Sequence, residues 1–200
     1  MGHSQLEKAQ SRERILDAAA TQVREGGFDS VSISELMRAA QLTHGAFYGH
    51  FPSRADLIAA ALDRALELGE AEYHARPTQD GAGSVKAIVN PYLSPAHRDR
   101  TGGGCAIAAL AADVARSDDP KVRALMSQRA EIAFKHMSDA FGGGLEAENA
   151  ALAAWSTMVG ALVLSRVFRG TAQSDAILKQ ARRSILSLER QVREGRNADG

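Results

Sequence analysis

Thr43, His44, Tyr48, His50 and Arg54 put a hydroxyl, two imidazoles, a phenol and a guanidinium into twelve consecutive residues. Acid–base catalysis would need a nucleophile, a base and an orienting acid on one face, and Glu35 is the only acid between residues 35 and 54. A metal centre would need His and Cys at ligand spacing, whereas the sequence has one cysteine, Cys105, and six scattered histidines. What these groups share is the ability to offer hydrogen bonds or positive charge to an anionic oxygen. Thr43 adds a helix start, whose free backbone N–H groups favour phosphate, and Gly45 and Ala46 let a backbone approach closely. Nucleic-acid contact is the chemistry this stretch supports. Ser32, Arg38, Thr43, His44, Gly45, Tyr48, His50 and Arg54 are its contact residues; no catalytic residue, metal or cofactor is expected.

The elements that would hold them are helical. Ile15, Leu16, Ala19 and Val23 recur at three- and four-residue steps, one face of a helix that Gly26 and Gly27 close. Ser32 followed by Glu35 is a capping box that starts a second, short helix carrying Ile33, Leu36, Met37 and Ala40. Gln41-Leu-Thr43 breaks that pattern, and a third helix runs from His44 to about His50, with Phe47 and Phe51 for a core. Two short helices joined by a three-residue turn make a helix-turn-helix, whose second helix lies in the major groove while the first crosses the backbone. Pro52 stops the reading helix, and Ser53 caps a fourth that continues to about Ala75.

Alanine and leucine dominate and aromatics are scarce, so the expectation is an all-α protein of about nine helices. Formal net charge is zero and the first 54 residues balance too, so any basic face comes from placement rather than excess. A single cysteine leaves no internal disulfide framework and suits a reducing cytoplasm. The N-terminal MGHSQLEKAQ has no apolar signal segment, and Leu6 stands where a myristoylation pattern needs Ser or Thr. The longest apolar run, Ala150 to Leu164, is interrupted by Ser156 and Thr157 and falls short of the roughly 20 residues of a membrane span.

The run from Phe28 through Val31-Ser-Ile-Ser-Glu-Leu36 and Gln41-Leu-Thr-His-Gly-Ala-Phe-Tyr-Gly-His-Phe-Pro-Ser-Arg54 to Leu57 resembles the DNA-binding domain of the tetracycline-repressor (TetR) family. The likeness covers roughly residues 12 to 60, and Phe47-Tyr48-x-His50-Phe51-Pro-Ser-Arg54 is its most specific part. Two positions depart from the family pattern: Gln41 replaces the usual turn glycine, and Arg54 replaces lysine with the charge kept. The resemblance implies a homodimer on a palindromic double-stranded operator. It implies a DNA-binding domain over 1–53, and a C-terminal domain over 54–200 that holds a small apolar ligand and dimerises.

Helices are expected over about 84–93, 105–116, 120–141, 145–169 and 174–193, with Pro77–Gly83 and Pro95–Gly104 as connections. Leu62, Leu66, Tyr73, Cys105, Met126, Phe134 and Met137 are the expected pocket walls. Leu152, Trp155, Val159 and Leu162, with Ile177, Ala181 and Ile185, are the expected subunit interface, because the helix carrying the first four is apolar nearly all round. The segment Tyr92-Leu-Ser-Pro-Ala-His-Arg-Asp99 with Gly104-Cys105 resembles a subgroup of such regulators with a cysteine after a glycine. A thiol-based oxidant or electrophile sensor is therefore an alternative to ligand release. A helical carrier or enzyme that merely retains the N-terminal fold is a third. His97-Arg98-Asp99 mimics a kinase triplet but lacks the asparagine and nucleotide loop that would complete it.

Overall fold

A computed structural model describes residues 5–75 and 83–198. The described residues form nine α-helices and two short 3-10 helices, and they contain no strand. The expected loop over Pro77–Gly83 lies outside the described residues except for Gly83. The chain divides into two compact units, Met1–Ala71 with Thr101–Met126 and Glu72–Arg100 with Ser127–Gly200.

In the first unit, helix α1 (Gln5–Gly26) buries Ile15, Leu16, Ala19, Ala20 and Val23, the face read from their spacing. Gly27 ends it at φ 78, donating its N–H to the Val23 carbonyl at 2.9 Å. A 3-10 turn over Phe28–Ser30 leads to α2 (Ile33–Ala39), where Ser32 Oγ accepts from the Glu35 N–H at 3.4 Å. Gln41 closes α2 at φ 60, the only left-handed non-glycine residue among those described. Leu42 N–H reaches the Met37 carbonyl at 2.8 Å and Gln41 N–H the Arg38 carbonyl at 3.0 Å, the bond pair of a Schellman motif. The glycine-to-glutamine departure thus sits in the left-handed position that a glycine would occupy without strain.

The expected reading helix is a 3-10 helix over His44–Gly49 rather than an α-helix. It is six residues long, has a glycine at each end of its pentapeptide Gly45-Ala-Phe-Tyr-Gly49, and is cut off by Pro52; it has no length over which α-helical bonds could accumulate. Ser53 then opens α3 (Arg54–Ala75): Asp56 N–H donates to Ser53 Oγ at 3.1 Å, and that hydroxyl donates to Asp56 Oδ2 at 2.8 Å. Leu57, Ala61, Leu62, Ala65 and Leu66 join the same core as α1 and α2. Its residues from Ala106, Leu110 and Val114 belong to a later helix (Ala106–Arg116), which packs against α1.

The second unit begins with α4 (Val85–Tyr92), capped by Ser84, and α5 (Pro95–Asp99). The sequence reading made residues 95–104 a connection throughout. Ser94 Oγ accepts from the His97 N–H at 3.2 Å and Pro95 takes the first helical position, which is enough to wind one turn there. Numbering through the first unit's Ala106–Arg116 as α6, the remaining helices are α7 (Pro120–Phe141), α8 (Leu145–Val167) and α9 (Ala172–Ala198). Gly142, Gly143 and Gly144 all have positive φ, so the turn from α7 to α8 needs the glycine run. Arg196 of α9 donates to the carbonyls of Phe141 and Gly142, both at 2.9 Å, satisfying the end of α7.

Helix α8 is 23 residues long, and by length and composition alone it could cross a bilayer. It exceeds the run read from the sequence because Leu145 and Val167 extend it. Ala147, Ala150, Ala154, Met158 and Leu162 are nevertheless buried in its own unit, where it packs on α9. At the start of α9, Arg98 donates to Asp175 at 2.6 Å and to Ser174 at 2.8 Å, while Arg166 and Arg169 donate to the Arg98 carbonyl. Asp99 and Asp175 hold that guanidinium in its charged form, raising its pKa. The triplet that mimics a kinase motif is a structural brace.

Candidate nucleic-acid interface

The 3-10 segment has two faces with opposite tasks. Phe47 and Phe51 are buried and stack at 5.8 Å between ring centroids, fixing the segment to the core. Thr43, His44, Gly45 and Tyr48 are exposed, and the Tyr48 ring stands edge-on to Phe47 at 5.2 Å with 71% of the residue open to solvent. The Thr43 side chain makes no capping bond to the segment, so its hydroxyl is left to an outside acceptor. Nothing lies within 4 Å of where a Cβ on Gly45 would be, so Gly45 meets no part of its own chain there.

His50 is half-buried at the end of the segment. Its Nδ1 is buried with no hydrogen-bond partner, and its pKa is lowered first by burial, then by the positive charges of Lys8 and Arg12. Arg12 also lies over the Phe51 ring, 5.1 Å from its centroid. Lys8 and Arg12 are exposed residues one turn apart on α1, and they bring a basic edge to the segment. The sequence reading counted them only in the charge balance; their (i, i+4) spacing on the face near His50 was the available signal.

The remaining expected contact residues are more dispersed. Arg38 is exposed on α2 and Ser32 is spent on the α2 cap. Arg54 donates to the Phe28 carbonyl at 2.8 Å, and Asp113 of α6 accepts from the Phe28 N–H at 3.4 Å, so one peptide segment is held from both sides. Ser53 and then Lys121, 3.3 Å from Asp56, lower the Asp56 pKa, which keeps the cap of α3 ionised.

Of the expected pocket residues, Leu62, Leu66 and Met126 are buried in the first unit's core, and Cys105 is half-buried in that unit without a disulfide. Phe134 and Met137 belong to the second unit, the former half-buried and the latter buried. The side chain of Tyr73 lies outside the described residues. None of these lines the open cleft of about 300 Å³ between Phe28, Arg54, Asp113 and Val122.

Of the expected interface residues, Leu162, Ala181 and Ile185 are buried within their own chain because they face the α8–α9 contact. Trp155 donates its Nε1–H to the Ala133 carbonyl at 2.8 Å and meets Tyr92 edge-on, and Val159 and Ile177 are half-buried. Leu152 is exposed, and with it Leu145, Val163, Leu164 and Val167 of the same helix.

A core-anchored segment after a tight turn, with a polar outer row beside basic side chains, defines the class: a helix-turn-helix protein that binds DNA. Residues 15–61 match the family described as bacterial regulatory proteins, tetR family. The chain carries that family's N-terminal domain and is a transcriptional regulator. It is 28% identical over 185 residues to the HTH-type transcriptional regulator Rv0196 of Mycobacterium tuberculosis, covering 88% of this chain and 94% of that protein. It is 28% identical over 143 residues to the transcriptional repressor NemR of Escherichia coli, covering 68% and 69%. The fold is shared with the reduced form of E. coli NemR, with a TM-score of 0.69, 23% identity and 88% and 95% coverage. It is shared too with a TetR-family regulator from Cytophaga hutchinsonii, with a TM-score of 0.76, 17% identity and 94% and 98% coverage.

Proposed function

We propose that the chain acts in the cytoplasm as a homodimeric repressor that grips a palindromic operator through two copies of the Thr43–His50 segment and is released by a small apolar ligand. Residues 1–53 read DNA on this proposal, and residues 54–200 dimerise and hold the ligand. The observation that carries it is the division of labour within the 3-10 segment: Phe47 and Phe51 are locked in the core while Thr43, His44, Gly45 and Tyr48 face outward. Such a segment spans too few base pairs to select a site alone. Two copies about 34–36 Å apart meet successive turns of one groove face. The exposed Leu145, Leu152, Leu164 and Val167 on α8 supply an apolar face for the second copy to cover. The protein is then a binder and not a catalyst.

Fluorescence anisotropy on the DNA flanking the gene tests this. Binding should be sequence-specific and should weaken steeply with salt as phosphate contacts release counterions. Tyr48→Ala should cost about tenfold in operator affinity, the loss of a hydrogen bond to a charged acceptor. A salt-insensitive complex, or full affinity in Tyr48→Ala, would overturn the reading.

A thiol-responsive form of the same repressor draws support from Cys105, which occupies the N-cap of α6, the helix that packs on α1. If Cys105→Ser releases DNA in hydrogen peroxide or a quinone as the unmodified protein does, that form is excluded.

A further inference from the structure

The cleft of about 300 Å³ in the first unit is distinct from the expected apolar pocket, since none of that pocket's residues lines it. Its floor is apolar: Ile58 and Val122 are buried there. Its walls carry both signs of charge, and most of them are already committed. Asp113 and Arg54 are engaged with the two ends of Phe28, and Asp119 accepts from the Lys121 N–H at 2.8 Å. One charge is left over and one is only loosely paired. Asp29 has no hydrogen bond or ion pair among the described residues. The Arg116 side chain is 73% exposed, and its one ion pair, to Asp113, is 3.7 Å long, beyond hydrogen-bond reach.

A cation alone would leave Arg116 with only its long pair to Asp113, and an anion alone would leave Asp29 unpaired. A molecule with both charges and a hydrocarbon body answers each wall and covers the floor. We propose that this cleft binds a small zwitterion with an apolar tail, of the chemical class of an aliphatic α-amino acid. Its carboxylate pairs with Arg116, its ammonium with Asp29, and its tail lies over Ile58 and Val122. The volume admits such a molecule with room for water.

The test is an amide NMR titration of the full chain with L-leucine, and separately with its two halves in charge: 3-methylbutylamine, which lacks the carboxylate, and 4-methylpentanoate, which lacks the amine. Binding is read directly, so the result does not depend on any operator. L-Leucine should shift the Phe28 and Arg116 amides saturably, with a dissociation constant of about a millimolar, as expected for so small a ligand. Each half-charged analogue should bind about fivefold more weakly, the size of one exposed ion pair. Asp29→Asn and Arg116→Gln change exposed residues and leave the core intact; each should weaken leucine about fivefold. The proposal is overturned by the absence of a saturable shift, by unchanged leucine affinity in either variant, or by either analogue matching leucine.

Discussion

Tyr48 and His50 share one short segment, but solvent reaches them differently, and their substitutions should separate accordingly. Tyr48 is largely exposed, so Tyr48→Ala should change folding stability by no more than about 0.5 kcal/mol while it weakens DNA binding. Urea denaturation beside anisotropy distinguishes the two effects. His50 has its pKa lowered by burial, Lys8 and Arg12, so the unfolded chain takes up a proton there more readily than the folded one. The stability linked to this histidine is therefore fully present above its unfolded pKa of about 6.5 and declines as pH falls below it. The urea midpoint should drop between about pH 7.5 and 5.5 by more in the natural protein than in His50→Gln. Equal drops would show that the histidine is not linked to folding. Thr43, His44, Gly45 and Tyr48 were legible as an outward set because each follows from position after the turn. Lys8 and Arg12 were not, since their partner is 38 or more residues away in sequence and only the packing of α1 beside Phe51 brings them together.

Helices with a long apolar period were placed from sequence to within a few residues, as α1, α3 and α7 show, because burial of one face decides them. The short elements escaped: residues 44–49 wind as a 3-10 helix, and α5 forms where a connection was expected, since one or two local hydrogen bonds determine such turns. The turn at Gln41 was legible in kind. Its left-handed backbone costs a non-glycine residue about 1–2 kcal/mol. Gln41→Gly should relieve that strain and, after the extra entropy lost by glycine, raise stability by about 0.5–1 kcal/mol in chemical denaturation. The opposite sign is expected at the end of α1. Gly27 has φ 78 and an added Cβ would come 3.0 Å from Asp113 Oδ1, so Gly27→Ala should lower stability by at least about 1–2 kcal/mol. A neutral Gly27→Ala would show that the Asp113–Phe28 contact does not hold the α1–α2 corner.

If the molecule works as a pair, as proposed, the pair must cover the apolar side chains that α8 leaves open. Val167 is 72% exposed and Leu164 is exposed beside it, so changing them leaves the chain's own core intact. The double substitution Leu164→Glu and Val167→Glu should shift sedimentation from dimer toward monomer with an unchanged helical circular dichroism spectrum; an undisturbed dimer would place the contact elsewhere. An all-round apolar helix does not say in sequence which side its own domain covers, and Leu162 faces inward. The geometry of the reading segment then acquires an evolutionary meaning. With three residues per turn, Gly45 and Tyr48 fall one above the other on the exposed side of the segment. Among the outward residues Gly45 leaves a vacancy beside Tyr48. On the proposed reading, a lineage could retarget the repressor by filling that one vacancy, and a symmetric pair would rewrite both halves of its address with one mutation.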